Sequence, residues 1–178
     1  VTEIGATAFE CCQSLITVTG GSKLKKIGYM AFSDCTQLNS ITIPASVSEC
    51  DSAFDGCTNL KTAGPINGNY NIKYGFTERI PEGFFSGSEI EEVIIPDTVK
   101  RIESSAFYGC YNLKKVKLPT ALTYIGKVAF YNCNALESLT IPNTVKEIGF
   151  AAFPDITISV YEGSYAERYA IENSYPYI

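Results

Sequence analysis

The chain has 178 residues, of which 46% are hydrophobic and 19% charged, a balance typical of a folded globular protein. Its 19 acidic and 14 basic residues give a net charge of −5, which argues against the positive surfaces that hold nucleic acids or anionic membranes. No apolar run approaches the roughly 20 residues of a transmembrane helix, so we expect neither a nucleic-acid partner nor insertion into a membrane.

A short motif centred on Ala-Phe recurs along the whole chain. The phenylalanine of each copy is Phe9, Phe32, Phe54, Phe107, Phe130 or Phe153, and Phe85 fills the same place after Phe84. Successive copies are 22 or 23 residues apart, except for one interval of 31. Each copy lies in a longer pattern that reads V-x-x-I-G-x-x-A-F-x-x-C-x-x-L-x-x-[IVL]-x-[IL]-P. A fixed period of this length predicts stacked repeats, because one short unit cannot bury its apolar side chains alone.

The alternating segments predict one strand in each repeat. In chain order, we expect strands at about residues 15–19, 38–43, 91–95, 114–118 and 137–141, all parallel in one ladder. Side chains alternate along a strand, so that Ile41 points inward and Thr42 points outward, and the proline at the end stops the strand. The Ala-Phe segments suit short helical or 3-10 turns. The predicted fold is an α/β repeat solenoid, a right-handed array of about seven repeats of 22–23 residues.

The one long interval contains an insertion at residues 64–79, with the sequence GPINGNYNIKYGFTER. Its glycine and asparagine content favours turns, so we expect an excursion from the array. We expect residues 1–178 to form a single domain that includes this excursion.

The two ends of the array differ. We expect about residues 157–178 to form a cap, in which a short helix from Ala166 to Asn173 shields the last repeat from water. The first repeat has no comparable cap, and the chain starts inside a repeat without an initiator methionine. We therefore expect the chain to be a fragment of a longer protein.

The I-G-x-x-A-F-x-x-C core resembles the BspA-like leucine-rich repeats of bacterial and protist surface proteins, and the resemblance covers nearly the whole chain. The segment from Glu162 to Ala170 also resembles the usual end of that family, and similar G-P-I-x-G insertions occur in related proteins. The resemblance implies a secreted or cell-surface protein, with adhesion or another binding role, in a bacterium. This localisation follows from the family, since no targeting segment is present in the sequence.

Five of the seven cysteines occupy one position of the repeat: Cys12, Cys35, Cys57, Cys110 and Cys133. Equivalent side chains on neighbouring rungs lie about 4.8 Å apart, which is wide for a disulfide, and a column does not converge on a metal ion. We expect these thiols to be buried, reduced and unreactive, whereas Cys11 and Cys50 fall outside the column and should label faster. The adjacent pair Cys11-Cys12 leaves redox or metal chemistry open as an alternative. We predict no metal site.

The outward strand positions are mostly threonine and serine, which suits either a solvated surface or a binding surface. Glu92, Lys115 and Lys117 are the distinctive residues there, and Tyr70 and Tyr74 lie in the insertion. We predict that these five contact a protein or carbohydrate ligand, although Glu92 and Lys115 could simply pair with each other. Tyr108, Tyr111 and Tyr131 form a further cluster, either exposed for binding or packed over the rungs.

Catalysis finds no support in the sequence. There is no histidine for a triad, no phosphate-binding glycine loop and no pattern that places two carboxylates across a cleft. We therefore expect a monomeric, non-enzymatic interaction module without a cofactor. The alternative is a structural spacer that displays another domain of a longer protein.

Overall fold

The computed structural model describes residues 1–178. Each turn of the chain contributes a two-residue strand and, in most cases, one longer strand, and a single helix follows the last turn. The elements in chain order are β1 (Glu3–Ile4), β2 (Thr17–Thr19), β3 (Lys26–Ile27), β4 (Ser40–Ile43), β5 (Glu49–Cys50), β6 (Thr62–Pro65), β7 (Ile72–Tyr74), β8 (Arg79–Ile80), β9 (Glu92–Ile94), β10 (Arg101–Ile102), β11 (Lys115–Lys117), β12 (Tyr124–Ile125), β13 (Ser138–Thr140), β14 (Glu147–Ile148), β15 (Thr157–Ser159) and α1 (Tyr165–Glu172).

All strand pairs are parallel, and they form two ladders along a solenoid of about seven turns. The two-residue strands form the sheets β1-β3-β5 and β8-β10-β12-β14, while the longer strands form β2-β4-β7-β6-β9-β11 and β13-β15. The predicted parallel solenoid is therefore confirmed. The expectation of one continuous ladder is wrong at one junction, because β11 pairs only with β9 and β13 pairs only with β15.

The interior of the solenoid is one apolar cluster of 48 buried residues. The phenylalanines of the repeat stack in a column through it, with ring centroids 5.0 Å apart for Phe85 and Phe107 and 4.9 Å apart for Phe107 and Phe130. At the corner that precedes each Phe, Gly126 and Gly149 let neighbouring rungs approach closely, since a Cβ on either would collide with the backbone of the previous rung. The Ile-Gly and Ala-Phe elements of the repeat are thus requirements of packing.

The Ala-Phe segments form successive hydrogen-bonded turns and not the helical or 3-10 turns expected. Two residues in most of these turns have a positive φ, one two residues before the phenylalanine and one two residues after it. In the sixth repeat they are Val128, at 49°, and Asn132, at 63°. This left-handed conformation interrupts helix after a single turn, because L-residues cannot continue a helix from it.

Val128 is the least suitable residue for this position, because a β-branched side chain crowds the backbone when φ is positive. We expect Val128→Asn to raise the free energy of unfolding by about 0.5–1 kcal/mol, since asparagine tolerates this region far better. Urea denaturation of both proteins measures the difference. Lys127→Asn, next to it at a position without positive φ, is the control; an equal gain there would contradict strain at Val128.

The insertion does not leave the array, because its second half forms β7, which lies between β4 and β6 in the long ladder. Asn71 connects the three strands. Its Oδ1 accepts from the backbone nitrogens of Lys61 and Thr62 at 3.1 and 3.2 Å, and its Nδ2 donates to the Asn39 carbonyl at 2.7 Å. The carboxamide thus takes the place of a peptide group at the point where the inserted strand separates two rungs.

The core is wider beside the insertion, and aromatic rings fill the extra space. Phe84 occupies a position that is alanine in the other repeats, and its ring lies 4.8 Å from Phe76 and 4.5 Å from Phe85, both edge-on. Tyr74 stacks on Phe76 at 5.5 Å. Phe84 therefore replaces alanine for a physical reason, since the rungs on either side are pushed apart by the added strand.

The C-terminal end carries α1, which begins after the N-cap Ser164, whose side chain accepts from the Glu167 nitrogen. Tyr169 packs edge-on against Phe153 at 6.0 Å and donates from its hydroxyl to the Gly149 carbonyl. At the other end of the solenoid Phe9 stacks on Phe32 at 5.2 Å but stays 40% exposed. The helix has eight residues and is too short to cross a membrane.

Candidate functional site

The outward side chains of the long ladder form one continuous surface, which we call the strand face. The register places Thr17, Ser40, Thr62, Glu92 and Lys115 in one row and Thr19, Thr42, Lys73, Ile94 and Lys117 in the next. Lys73 comes from the inserted strand, which the repeat pattern did not predict. The insertion therefore contributes directly to the strand face.

A groove opens in the strand face where the ladder is interrupted between β11 and β13. Its volume is about 650 Å³, and its walls include Val116, Leu118, Leu139 and Tyr161. Val116 occupies an inward position yet is partly exposed, whereas the equivalent Val93 and Leu139 are 1% and 2% exposed. The missing strand pairing thus leaves Val116 partly uncovered, whereas the equivalent side chains of the two neighbouring rungs are buried.

The three charged residues predicted on this surface all line the groove. Lys115 lies directly beside Glu92 in the ladder, and Lys117 lies beside Ile94. Glu92, Lys115 and Lys117 take part in no ion pair. The nearby carboxylate of Glu91 is already paired with Lys114 at 2.9 Å and Lys61 at 3.6 Å. The hydrogen bond from Lys114 is the main reason why the pKa of Glu91 is lowered. Lys115 and Lys117 therefore keep their charge available for a ligand.

The two tyrosines of the insertion lie in different surroundings. Tyr70 is half-buried, and its ring covers Gly64 and Gly68 so closely that neither glycine has room for a Cβ. Tyr74 is 1% exposed, its hydroxyl donates to the Ile94 carbonyl at 2.6 Å, and burial raises its pKa. The structure corrects the expectation that Tyr74 contacts a ligand, because its ring fills the core that the inserted strand creates.

The other tyrosine cluster lies on the turns and away from the groove. Tyr108 and Tyr131 are each 40% exposed and stack on each other at 6.0 Å, and Tyr111 is 58% exposed. Both alternatives hold in part, because Tyr108 and Tyr131 pack on each other over adjacent rungs and all three rings are exposed. They form an exposed aromatic patch on the solenoid.

The cysteine column makes a repeated hydrogen bond between rungs. The thiol of Cys57 donates to the Phe32 carbonyl at 3.0 Å, that of Cys110 to Phe85 at 3.0 Å, and that of Cys133 to Phe107 at 3.1 Å. Ser88 replaces cysteine in the fourth repeat. The thiols thus give these carbonyls a second hydrogen bond, which joins neighbouring rungs, whereas the Ser88 hydroxyl contacts the Cys110 thiol instead. A small side chain with a polar hydrogen suits this buried position.

Two thiols depart from the sequence-based expectation. Cys12 is partly exposed, because it belongs to the first, uncovered rung, while Cys50 is 5% exposed on β5. Burial raises the pKa of Cys57 to about 12 and also raises that of Cys50, and hydrogen bonding to Cys110 together with burial raises that of Cys133. The expected protection of Cys12 and fast labelling of Cys50 are both corrected.

A thiol-reactive reagent should therefore divide the cysteines into two classes. We expect Cys11 and Cys12 to react first in the native protein, and Cys35, Cys50, Cys57, Cys110 and Cys133 to react only after denaturation, because the thiolate is the reactive form and burial suppresses it. Peptide mass mapping after a timed pulse of iodoacetamide measures the order. Early labelling of Cys50 would contradict its burial against Phe84.

The repeat pattern is recognised by a known family model. The model of the BspA type leucine-rich repeat region matches residues 1–76 and 78–166 in six copies. The chain belongs to this family. The positions that recur in every copy or most copies of this chain's repeat, the stacked phenylalanine and the corner glycine among them, hold neighbouring rungs of this BspA-type array together.

Solved bacterial repeat proteins are similar to this BspA-type chain over most of its length. A leucine-rich cell surface protein from Faecalibacterium prausnitzii is 27% identical, with a TM-score of 0.52, over 90% of this chain and 52% of its own. The leucine-rich repeat protein of T. pallidum is 25% identical, with a TM-score of 0.36, over 89% of this chain and 52% of its own. The chain therefore spans about half the length of these two proteins. No curated protein matches it.

Sequence reasoning found the charged residues of the groove but missed the groove itself. The distinctive composition of β11, with lysines on both sides of a valine, was the available signal. No sequence pattern indicated that Leu139 and Tyr161 line the groove, because their positions there depend on the distance between the last two repeats.

Proposed function

We propose that this chain is a non-enzymatic interaction module, secreted or at a cell surface, that binds a protein or glycan through the strand face. The observation that carries the proposal is the groove between β11 and β13, with Lys115 and Lys117 unpaired beside exposed apolar surface. The similarity to a protein described as a cell surface protein supports the location. A ligand gains both charge and apolar contacts at this one place on the array.

The chemistry of the groove supports binding and not catalysis. Its charged lining residues are Glu92, Lys114, Lys115 and Lys117, so only one carboxylate is present. Hydrolysis of a glycoside commonly uses two carboxylates that face each other across the scissile bond. The strand register gives Glu92 one neighbouring lysine, and no second acid lines the groove. This arrangement suits the binding of a charged ligand.

The test is a screen followed by charge reversal. The labelled protein is applied to a glycan array and to a panel of purified surface proteins, and each hit is measured with the double variant Lys115→Glu, Lys117→Glu. We expect binding to fall at least about tenfold while the melting temperature stays nearly unchanged, because both side chains are exposed.

The matched control is Lys127→Glu, Lys146→Glu, which makes the same change in net charge at exposed positions outside the groove. Glu147→Lys on β14 is a second control, with the opposite change on the other ladder. Equal losses in the two double variants, with an opposite change in Glu147→Lys, would show a nonspecific charge effect. A complete absence of ligands would favour the alternative function of a structural spacer.

A further inference from the structure

The distance between β11 and β13 limits what the groove can hold. The Cα atoms of the two strands approach within 8 Å of each other, although the strands are not paired. Two strands that flank a third one are separated by twice the usual spacing, or about 9.6 Å. An extended peptide therefore does not fit between β11 and β13 as an added strand. A ligand lies over the groove instead, across the strands, and contacts their side chains.

Short hydroxyl and amide side chains line one side of the groove. Ser138 and Thr140 belong to β13, and Asn143 belongs to the turn that follows this strand. All three are exposed, and none of their side chains makes a hydrogen bond within the chain. Hydroxyl and carboxamide groups can both donate and accept hydrogen bonds. Sugar hydroxyls have the same double capacity, so these side chains suit a carbohydrate.

An exposed aromatic ring lies beside these polar side chains. Tyr161 follows β15, lines the groove and is 52% exposed. A tyrosine ring offers a flat apolar face next to a polar tip, and the C–H groups of a sugar ring pack on such a face. The groove thus combines an apolar platform with hydrogen-bonding groups that have no partner in the chain.

The positive charge of the groove is concentrated at one lysine. Lys115 lies beside Glu92 in the ladder, whereas Lys117 lies beside Ile94. Lys117 is therefore the lysine whose charge no carboxylate of the adjacent strand offsets. One anionic group at Lys117 is stabilised, whereas a second one nearby is repelled by the carboxylate of Glu92. The ligand that fits carries sparse negative charge and not a dense run of it.

We propose that the groove binds an acidic glycan in which carboxylate-bearing sugars are separated by neutral ones. The chain of sugars lies across β11 and β13, with one carboxylate at Lys117 and one sugar ring on Tyr161. Its hydroxyl groups bond to Ser138, Thr140 and Asn143. The groove volume of about 650 Å³ is within the usual range of ligand clefts. This inference rests on the proposed function and names the class of partner.

The probe is a hexasaccharide of alternating glucuronate and N-acetylglucosamine, which carries a neutral fluorescent dye at its reducing end. The whole chain is titrated into it at low salt, and binding is followed by fluorescence polarisation. The matched control is the same hexasaccharide with each carboxylate reduced to a hydroxymethyl group, which removes the charge and keeps the sugars. We expect the uronate form to bind at least about tenfold more tightly than the reduced form.

Three changes in the protein test the roles of its residues. Lys117→Gln and Tyr161→Ala should each weaken binding of the uronate form about fivefold or more, whereas Tyr161→Phe should not, because it keeps the ring. The controls are Lys146→Gln and Tyr111→Ala, which change an exposed lysine and an exposed tyrosine outside the groove and should leave the affinity unchanged. The melting temperature of each variant should stay close to that of the wild type, because these side chains are exposed.

The inference is overturned by no binding of the uronate form at about 1 mM protein, or by equal affinity of the uronate and reduced forms. A heparin hexasaccharide, with its dense sulfates, is the third probe. If it bound more than about tenfold more tightly than the uronate form, charge density alone would explain the binding and the inference would also fail. If a folded protein from the screen depends on Lys115 and Lys117 while the uronate form does not bind, the proposed function stands and only this inference fails. If no ligand depends on these lysines, both fail.

Discussion

Replacement of Phe107 by alanine should lower the free energy of unfolding by about 3–5 kcal/mol, the usual range for removal of a buried phenyl ring from a packed core. Phe107 is fully buried, and its ring lies between those of Phe85 and Phe130 in the column. The stacked neighbours belong to adjacent rungs and cannot both close the cavity, since each is held by its own turn. Urea denaturation, followed by circular dichroism, measures the loss.

Tyr108→Ala is the control, because Tyr108 is the next residue in the same turn but is 40% exposed. We expect it to change stability by less than about 1 kcal/mol, through loss of its stacking on Tyr131. Hydrogen exchange should show that β10 and β12 open more readily in Phe107→Ala than β1 or β3, because contacts in a repeat array are with nearest neighbours. A loss as small as that of Tyr108→Ala would mean that the phenylalanine column does not carry the core.

Replacement of Asn71 by alanine should lower the free energy of unfolding by about 2–3 kcal/mol, because it leaves several backbone groups without a partner in the ladder. The Asn71 side chain bonds to Lys61, Thr62 and Asn39, and these bonds join β4 to β6 across the inserted strand. The same denaturation measurement applies. Limited proteolysis in the loop 66–70 should also become faster, since that loop is anchored by β7.

Two variants make the interpretation of Asn71 specific. Asn71→Asp keeps the accepting oxygen and removes the Nδ2 donor to Asn39, so its loss should lie between those of the wild type and Asn71→Ala. Asn69→Ala changes an exposed asparagine of the same loop and should alter stability by less than about 0.5 kcal/mol. If Asn71→Ala were as mild as Asn69→Ala, solvent would be able to replace the carboxamide at the junction.

The sequence by itself determined the repeat, its parallel strands and the inside and outside of each turn. The repeat positions that Phe107, Cys110 and Val93 occupy recur at a nearly fixed spacing along the chain. A short unit with this many apolar residues is stable only when it is stacked on its copies. The charged positions Glu92, Lys115 and Lys117 followed from the same alternation, because a strand sends successive side chains to opposite faces. Whether these three bind a ligand remains a prediction.

Only the tertiary structure decided the features that depend on spacing between rungs. The insertion looked like a loop, yet its residues Ile72–Tyr74 pair with strands on both sides, so Tyr74 is buried and Lys73 lies on the strand face. The groove arises because β11 and β13 are not paired, although the spacing from Lys115 to Ser138 equals the spacing from Glu92 to Lys115 in the paired strands β9 and β11. The local sequence pattern determines whether a side chain of a strand points inward or outward. Whether two strands pair depends on the distance between them, which residues from several repeats determine together.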